Sequence, residues 1–323
     1  MRSKFALTLA AGFFSILAAG ALADEPTLAE QVVAALNKVW GDHPGVRANH
    51  AKGVVLEGVF TPSPNGKTLS KAALFSAASV PVTVRFSDSS GAPNMPDGSA
   101  AANPHGMAVK FHLPSGDDVD IVANSLPFFP VATGEGFRDL LLAIAASPPG
   151  SPKPTAAEKF FAAHTAAIAA FGALHTPSSF GREAYNGVDS FVFVDAKGAK
   201  TTFRYRIFPE GGLDYLSPAD AAKLAPNGLV DEIAKRVAAH EVKFTLQAQL
   251  AGPGDAVDDA TKPYPADRKF VDLGTIALQK KGVEDKSLSY LPLNLVEGIE
   301  PSNDPLIQVR NDAYAISYGK RLQ

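Results

Sequence analysis

The apolar residues of the first hundred positions change from a helical to an alternating spacing. Behind Thr27-Leu28-Ala29-Glu30, which has the spacing of a capping box, they recur at intervals of three and four. In residues 80–87 they alternate, with Val82, Val84 and Phe86 on one face and Thr83, Arg85 and Ser87 on the other. These patterns predict an amphipathic helix from about residue 27, followed by half-buried strands.

Applied along the whole chain, the same patterns predict both element types. The predicted strands are 54–60, 80–87, 107–113, 120–123, 190–194, 201–208, 242–250 and 270–278. The predicted helices are 27–40, 136–146, 155–174, 227–240 and 305–320. A second capping box, Thr155 to Glu158, opens the third helix, and Asp304 before Pro305 opens the last.

Loops rich in Gly, Pro, Asn and Ser separate the first strands, which is typical of antiparallel sheets. No break in composition marks a linker. We therefore predict the α+β class: one domain, residues 24–323, built on a closed antiparallel β-barrel with helical insertions, because closure removes exposed strand edges.

Composition narrows the classes of function. The 323-residue chain is 46% hydrophobic, with a formal net charge of −3 and a pI near 6.2, which argues against a nucleic-acid partner. It has no cysteine, which excludes disulfides, thiol nucleophiles and thiol-based peroxidase chemistry.

The first 23 residues have the pattern of a signal peptide. Arg2 and Lys4 precede an apolar run, residues 5–20, and Ala21-Leu22-Ala23 supplies a small-x-small cleavage site. We expect cleavage after Ala23, a periplasmic location and no membrane anchor in the mature chain.

His50 is the first candidate for chemistry. It follows Arg47 and stands just ahead of the strand at 54–60, so it should lie at the mouth of a sheet. A single histidine is more often a structural residue than a catalyst. A periplasmic metal bound by His43 and His50 is a weaker possibility, since no metal-binding spacing accompanies them.

The last predicted helix carries the second candidate. Arg310, Tyr314 and Arg321 are spaced i, i+4 and i+11, which puts them on one helix face. A guanidinium one turn away favours the phenolate form of a tyrosine, and tyrosinate is among the known protein ligands of haem iron. The spacing fits ordinary packing equally well.

Five stretches in one order resemble the haem catalase superfamily. Residues 47–53, RANHAKG, are similar to its R-x-x-H-A-K-G segment, and residues 84–87 read VRFS as in its V-R-F-S strand. Residues 103–111, NPHGMAVKF, resemble D-P-R-G-F-A-V-K-F, and residues 120–129 resemble D-L-V-G-N-N-T-P-x-F. Arg310 and Tyr314 keep the outer positions of R-x-F-S-Y. Within the superfamily the chain is similar to the short, exported catalase-related peroxidases.

The resemblance implies a haem, expected to be haem b, with Tyr314 as the axial ligand of the iron and Arg310 beside its phenolate. It implies that His50 and Asn124 line the opposite, distal side and that Ser87 fixes the His50 ring. The remaining cofactor-binding residues that it implies are Arg47, Arg85 and Arg321 on the haem propionates and Phe137 near the distal face.

The chain also departs from the family pattern. Asn49, His105 and Pro130 replace residues that are usually apolar, arginine and aromatic, respectively, and Asn-Asp-Ala fills the middle of the tyrosine motif. A polar Asn49 and a shorter chain favour a wetter access route than that of a catalase. The family's large subunits continue well beyond the tyrosine helix, whereas this chain stops at Gln323. We therefore expect a monomer or dimer rather than the family's interlocked tetramer, and we do not expect its nicotinamide site.

These features predict a peroxidase that reduces hydrogen peroxide and small organic hydroperoxides with a small organic electron donor and retains minor catalase activity. Three alternatives stay open: a true catalase, a haem enzyme that rearranges hydroperoxides, and a non-catalytic periplasmic haem carrier.

Overall fold

The computed structural model describes residues 25–323, so the predicted signal peptide lies outside the described residues. The strands are β1 (Gly53–Pro62), β2 (Val80–Asp88), β3 (His105–His112), β4 (Asp118–Asn124), β5 (Tyr185–Asn186), β6 (Phe191–Val194), β7 (Lys200–Pro209), β8 (Val242–Leu250), β9 (Phe270–Lys281) and β10 (Ile299–Pro301). The helices are α1 (Leu28–Trp40), α2 (Gly66–Leu69), α3 (Gly134–Ala145), α4 (Ala156–Ala163), α5 (Thr165–Gly172), α6 (Pro218–Ala221), α7 (Gly228–Ala239) and α8 (Pro305–Arg321).

The strands form a closed antiparallel barrel, as predicted. Hydrogen bonding runs in the order β10-β6-β7-β5-β4-β3-β2-β1-β9-β8, and a further pairing of β7 with β8 closes the ring. Each pairing is antiparallel. Closure pairs β8, which ends this order on one side, with β7, while β6 and β10 extend the sheet beyond the ring.

The barrel interior is the main hydrophobic core. On β2 the predicted face of Val82, Val84 and Phe86 points inward and is buried. Aromatic rings fill much of the interior, such as Phe60 and Phe111 with centroids 5.2 Å apart in an edge-to-face pair. Because side chains alternate along a strand, the polar partners on β2 must lie on the outer face.

That outer face carries one row of particular interest. Ser87 on β2 lies directly opposite Gly106 on β3, and Gly106 lies opposite Asn124 on β4. The next row along the strands is Arg85 and Ala108, again paired in register. The register thus gathers polar side chains from neighbouring strands onto one patch outside the barrel.

A helical layer covers this patch. Val33 and Leu36 of α1, Leu141 of α3 and Ala313 of α8 form one buried cluster. The capping box predicted for α1 is present, with Thr27 accepting from Glu30 N–H, and Asp304 caps α8 as predicted, accepting from Leu306 N–H at 2.9 Å. No described helix is both long enough and apolar enough to cross a bilayer.

The single helix predicted over residues 155–174 was wrong. The capping box at Thr155 is present, but the segment divides into α4 and α5 at His164. The His164 imidazole Nδ1 lies 2.9 Å from the Phe160 carbonyl oxygen, which a continuing helix would use for its own i→i−4 bond. This local contact between side chain and backbone competes with the helical ladder at that carbonyl.

Gly58 marks a close approach of two strands that an added methyl group would disturb. It lies at the register shift between β1 and β9, and a Cβ there would meet the Ala277 carbonyl oxygen at 2.0 Å. We expect Gly58→Ala to lower the free energy of unfolding by about 1–3 kcal/mol, the usual effect of overpacking. Urea denaturation measures this change.

The matched control is Gly319→Ala, since no described atom would lie within 4 Å of the new methyl group in α8. Replacing a helical glycine should raise the free energy of unfolding by about 0.5–1 kcal/mol. Equal effects of the two substitutions would contradict the close packing of β1 on β9.

Candidate active site

A cavity of about 580 Å³ lies between the outer face of β2–β4 and the layer of α1, α3 and α8. Every predicted site residue lines it: His50, Asn124, Ser87, Tyr314, Arg310, Arg47, Arg85, Arg321 and Phe137. The structure therefore brings together residues that are up to 274 positions apart in the chain. Their chemical roles stay predictions.

His50 lines the cavity, and its strained backbone is fixed by hydrogen bonds. Its φ is +55°, the left-handed region that non-glycine residues rarely adopt. The Ala51 N–H donates to the Ser90 carbonyl at 2.9 Å, and Arg85 Nη1 donates to the His50 carbonyl at 2.9 Å. Strain of this kind persists where the surroundings fix the backbone, and it is common at functional sites.

The His50 ring rests on the polar row of the sheet. Its Nδ1 lies 3.0 Å from Ser87 Oγ, the contact that the family resemblance implies. Gly106 makes room for this contact, because a Cβ at that position would lie 2.8 Å from Ser87 Oγ and 2.9 Å from His50 Nδ1. Ser87 and Gly106 therefore determine together where the imidazole lies.

The environment keeps His50 neutral. Removal from bulk water is the largest cause, and the positive charges of Arg85, Arg310 and Arg47 add to it, so that the pKa of His50 falls from 6.5 to about 3. A neutral imidazole has one protonated and one unprotonated nitrogen. With Nδ1 held at Ser87, Nε2 is the nitrogen available to accept a proton.

Asn124 presents an amide donor to the same side of the cavity. Its Oδ1 accepts from the Leu126 N–H at 2.9 Å, which fixes the oxygen end of the amide. The NH₂ end is then the part of the side chain left to interact with a bound molecule.

Tyr314 lies in the wall formed by α8, together with Arg310. Arg310 Nη2 donates to the Tyr314 hydroxyl at 3.5 Å, and Arg310 Nη1 makes a buried ion pair with Asp189. The i, i+4 spacing thus produces the predicted contact. Asp189 was not predicted from the sequence.

Arg47 and Arg85 meet at a carboxylate that was also not predicted, Glu284. Arg85 Nε donates to both Glu284 oxygens at 2.8 and 3.0 Å, and Arg47 pairs with the same carboxylate. Arg321 instead donates to backbone carbonyls, including that of Leu288 at 2.8 Å, which Arg47 also uses. Each guanidinium has five N–H donors, so each keeps donors beyond these contacts.

The electrostatics of this end of the cavity favour an anionic ligand. Burial, followed by the positive charges of Arg47 and Arg85, lowers the pKa of Arg321 to about 10. Three guanidiniums and the Glu284 carboxylate leave a formal charge of +2, which would balance the −2 charge of two propionates. With a phenol on one wall and an imidazole on another, the donor set fits a haem.

The rest of the lining is mainly apolar. Residues of α1, which the sequence analysis did not assign to the site, contribute Val32, Leu36 and Trp40. The α3–α5 region contributes the apolar residues Phe137, Leu140, Leu141, Ile144, Phe161 and Phe171. The amphipathic pattern of α1 predicted a buried face, but it did not show what that face covers.

The departures from the family pattern fall in two places. Asn49 and Pro130 line the cavity. His105 lies outside it, fully buried between Asp88 and Glu183, with its ring nitrogens 3.8 and 3.9 Å from those carboxylates.

The alternative of a metal bound by His43 and His50 gains no support. Among residues 25–323, no group of three or more histidine, aspartate or glutamate side chains could hold a metal ion. His43 Nε2 instead lies 3.0 Å from the Trp40 carbonyl oxygen.

Comparison with known proteins gives a consistent result. The family model described as Catalase matches residues 36–323. A catalase-related peroxidase of Synechococcus elongatus is 34% identical over 90% of this chain and 88% of its own length. A catalase-related peroxidase of Mycolicibacterium paratuberculosis is 33% identical, over 89% and 93% of the two chains.

Solved structures share the fold. A fungal catalase and catalase A from Saccharomyces cerevisiae each superpose with a TM-score of 0.78 at 20% identity over 87% of this chain. The chain spans about 60% of the length of these two catalases.

The lowered pKa of His50 predicts how its ring responds to pH. Because the folded-state pKa of His50 is below the unfolded value of 6.5, the ring should stay neutral as the pH falls from 8 to 4.5. The unfolded chain binds a proton at this histidine below pH 6.5 and the folded chain does not, so the free energy of unfolding should decrease as the pH falls from 6.5 to 4.5. NMR of protein labelled with ¹⁵N in the histidine rings measures the protonation of His50, and the variant His50→Gln assigns its signal. A His50 midpoint near pH 6 would contradict the described environment.

Proposed function

This chain belongs to the catalase family and is a peroxide-acting oxidoreductase, and we propose that it is a haem peroxidase. In this proposal it reduces hydrogen peroxide and small organic hydroperoxides with a small organic electron donor and has minor catalase activity. The supporting observation is one cavity with His50, Ser87 and Asn124 on the sheet side and Tyr314 with Arg310 on the helix side.

Different residues around the cavity would bind different parts of the haem. Tyr314 would ligate the iron, Arg310 would stabilise the phenolate charge, and Arg47, Arg85 and Arg321 would pair with the propionates through bidentate contacts. When bound, the haem supplies the redox chemistry that cleaves the peroxide oxygen–oxygen bond and accepts electrons from a donor.

His50 would move the proton. Its Nε2 accepts the proton from one peroxide oxygen and returns it to the other, so that water or an alcohol leaves in place of an anion. This is general base catalysis followed by general acid catalysis. The neutral state of the ring, which its pKa of about 3 maintains, makes it a proton acceptor at ordinary pH.

Asn124 and Ser87 would orient the reaction. The Asn124 NH₂ group donates to the peroxide, since Leu126 N–H already engages its oxygen. Ser87 holds His50 Nδ1, which prevents the ring from turning its protonated nitrogen toward the substrate.

The cavity lining favours a peroxidase over an enzyme restricted to hydrogen peroxide. Apolar side chains such as Phe161, Phe171 and Ile144 suit the organic part of a hydroperoxide or a donor. Ala100 and Ala101 contribute small, exposed side chains to the lining, and Asn49 adds a polar one. The two relatives compared above are named catalase-related peroxidases.

Other parts of the proposal rest on the sequence alone. We propose haem b as the cofactor, residues 1–23 as a signal peptide cleaved after Ala23, a periplasmic mature domain of residues 24–323, and a monomer or dimer in solution.

Replacing His50 tests the proton-transfer step. We expect His50→Ala to retain haem and to lose about 10²–10⁴-fold in the rate of peroxide reduction, the usual contribution of a general acid–base group. Donor oxidation and oxygen release are measured side by side, and in the wild type donor oxidation should be faster.

The control for this experiment is His112→Ala, because His112 bonds to Thr83 and Asp118 and does not line the cavity. Peroxide turnover unchanged in His50→Ala would favour a haem carrier. Oxygen release far faster than donor oxidation would favour a true catalase, and loss of a lipid hydroperoxide with no donor would favour a rearranging enzyme.

Replacing Tyr314 tests the ligand. Tyr314→Phe should weaken haem binding and shift the absorption spectrum, because phenylalanine cannot ligate iron. Tyr318→Phe is the matched control: Tyr318 also lines the cavity, one turn further along α8, and its removal should leave the spectrum unchanged. The reverse pattern would assign the ligand to Tyr318.

A further inference from the structure

The Arg310 guanidinium lies between two oxygen groups of different kinds. Nη1 pairs with Asp189 Oδ2, and Nη2 donates to the Tyr314 hydroxyl at 3.5 Å. Asp189 precedes β6 and comes from a part of the sequence 121 residues away. One cation is therefore shared between a fixed carboxylate and the tyrosine proposed as the haem ligand.

Burial makes this pairing strong. Only 3% of Asp189 and 8% of Arg310 are exposed. Burial alone would lower the pKa of Arg310, but the charges of Asp189 and Tyr314 outweigh that cost and raise it above its ordinary value. Because a charge without a partner is unfavourable in the interior, Asp189 and Arg310 each depend on the other.

The charged groups that the structure describes near Asp189 have partners of their own and do not pair directly with Arg310. Arg204, which is fully buried beside it, is committed to the carbonyls of residues 256, 259 and 262 and to Ser190 Oγ at 3.1 Å. Asp304 accepts from the Leu306 N–H at the start of α8, and burial together with Asp189 raises the Asp304 pKa to about 6. Among the described residues, Asp189 is the carboxylate in direct contact with Arg310.

We propose that Asp189 is a positioning residue that offsets the charge of Arg310 and thereby keeps the Tyr314-ligated haem iron at a lower reduction potential than Arg310 alone would allow. The inference rests on the proposed function, since it assumes that Tyr314 binds haem iron. Asp189 acts on the Tyr314 ligand through another side chain, that of Arg310.

The direction of the change in reduction potential follows from electrostatics. An uncompensated guanidinium withdraws electron density from a phenolate and places positive charge near the iron, and both effects favour the ferrous state. A carboxylate on the far side of the guanidinium reduces both effects, and in a buried site with little screening by water the influence extends further than at the surface. Asp189 therefore favours the ferric state that reacts with peroxide.

The test is a potentiometric titration of the haem-loaded protein. Asp189→Asn keeps the shape and removes the charge, Asp189→Ser removes the charge and leaves space for water, and Asp189→Glu keeps the charge. Both neutral variants should raise the Fe(III)/Fe(II) midpoint potential, while Asp189→Glu should stay near the wild-type value. Asp258→Asn, an exposed aspartate, controls for the change in net charge and should have no effect.

Several results would overturn the inference. One is a wild-type midpoint potential in both neutral variants, and another is an equal rise of the midpoint potential in Asp189→Glu. A third is failure of both neutral variants to fold, which would make the carboxylate a requirement of the fold. If the wild-type protein bound haem but Tyr314 did not ligate the iron, the proposed function itself would be contradicted. The Tyr314→Phe spectrum distinguishes that outcome from a failure confined to Asp189.

Discussion

The site depends on the hydrogen-bonded register of β2, β3 and β4. Because Ser87, Gly106 and Asn124 lie opposite one another on the outer face, a hydroxyl and an amide flank a position with no side chain. The imidazole of His50 occupies that space, where a methyl group on residue 106 would lie within 3 Å of it. A slip of one residue would move Ser87 and Asn124 to the inside of the barrel, so the same pairing that closes the barrel also builds the site.

The second constraint is the concentration of positive charge around the cavity. Four arginines, Arg47, Arg85, Arg310 and Arg321, are largely buried or line its wall. Asp189 compensates one of them and Glu284 contacts two others. Burial lowers the pKa of both Arg321 and His50, and the remaining positive charge lowers both further, so one end of the cavity favours an anion while the imidazole stays neutral. A cofactor with two carboxylates suits both requirements.

The sequence predicted those features that local patterns encode. The alternation on β2 identified the faces of Arg85 and Ser87, the i, i+4 spacing identified the contact of Arg310 with Tyr314, and Asp304 identified the start of α8. The roles of His50 and Asn124 came from resemblance to a family, since the stretch around His50 alone favoured a structural histidine. Features that depend on long-range packing could not be predicted. Glu284 and Asp189 reach their arginines from positions 199 and 121 residues away, and the break at His164 coincides with a contact of its own side chain to the Phe160 carbonyl.

We propose that the cavity holds one haem whose iron is ligated by the Tyr314 phenolate, with His50 nearby and not bound to it. Haem titration of the purified protein, followed by absorption and electron paramagnetic resonance spectra of the ferric form, tests this most directly. We expect saturation at one haem per chain and a high-spin ferric signal of a tyrosinate-ligated haem. A low-spin signal typical of imidazole ligation, or no stoichiometric binding, would contradict it.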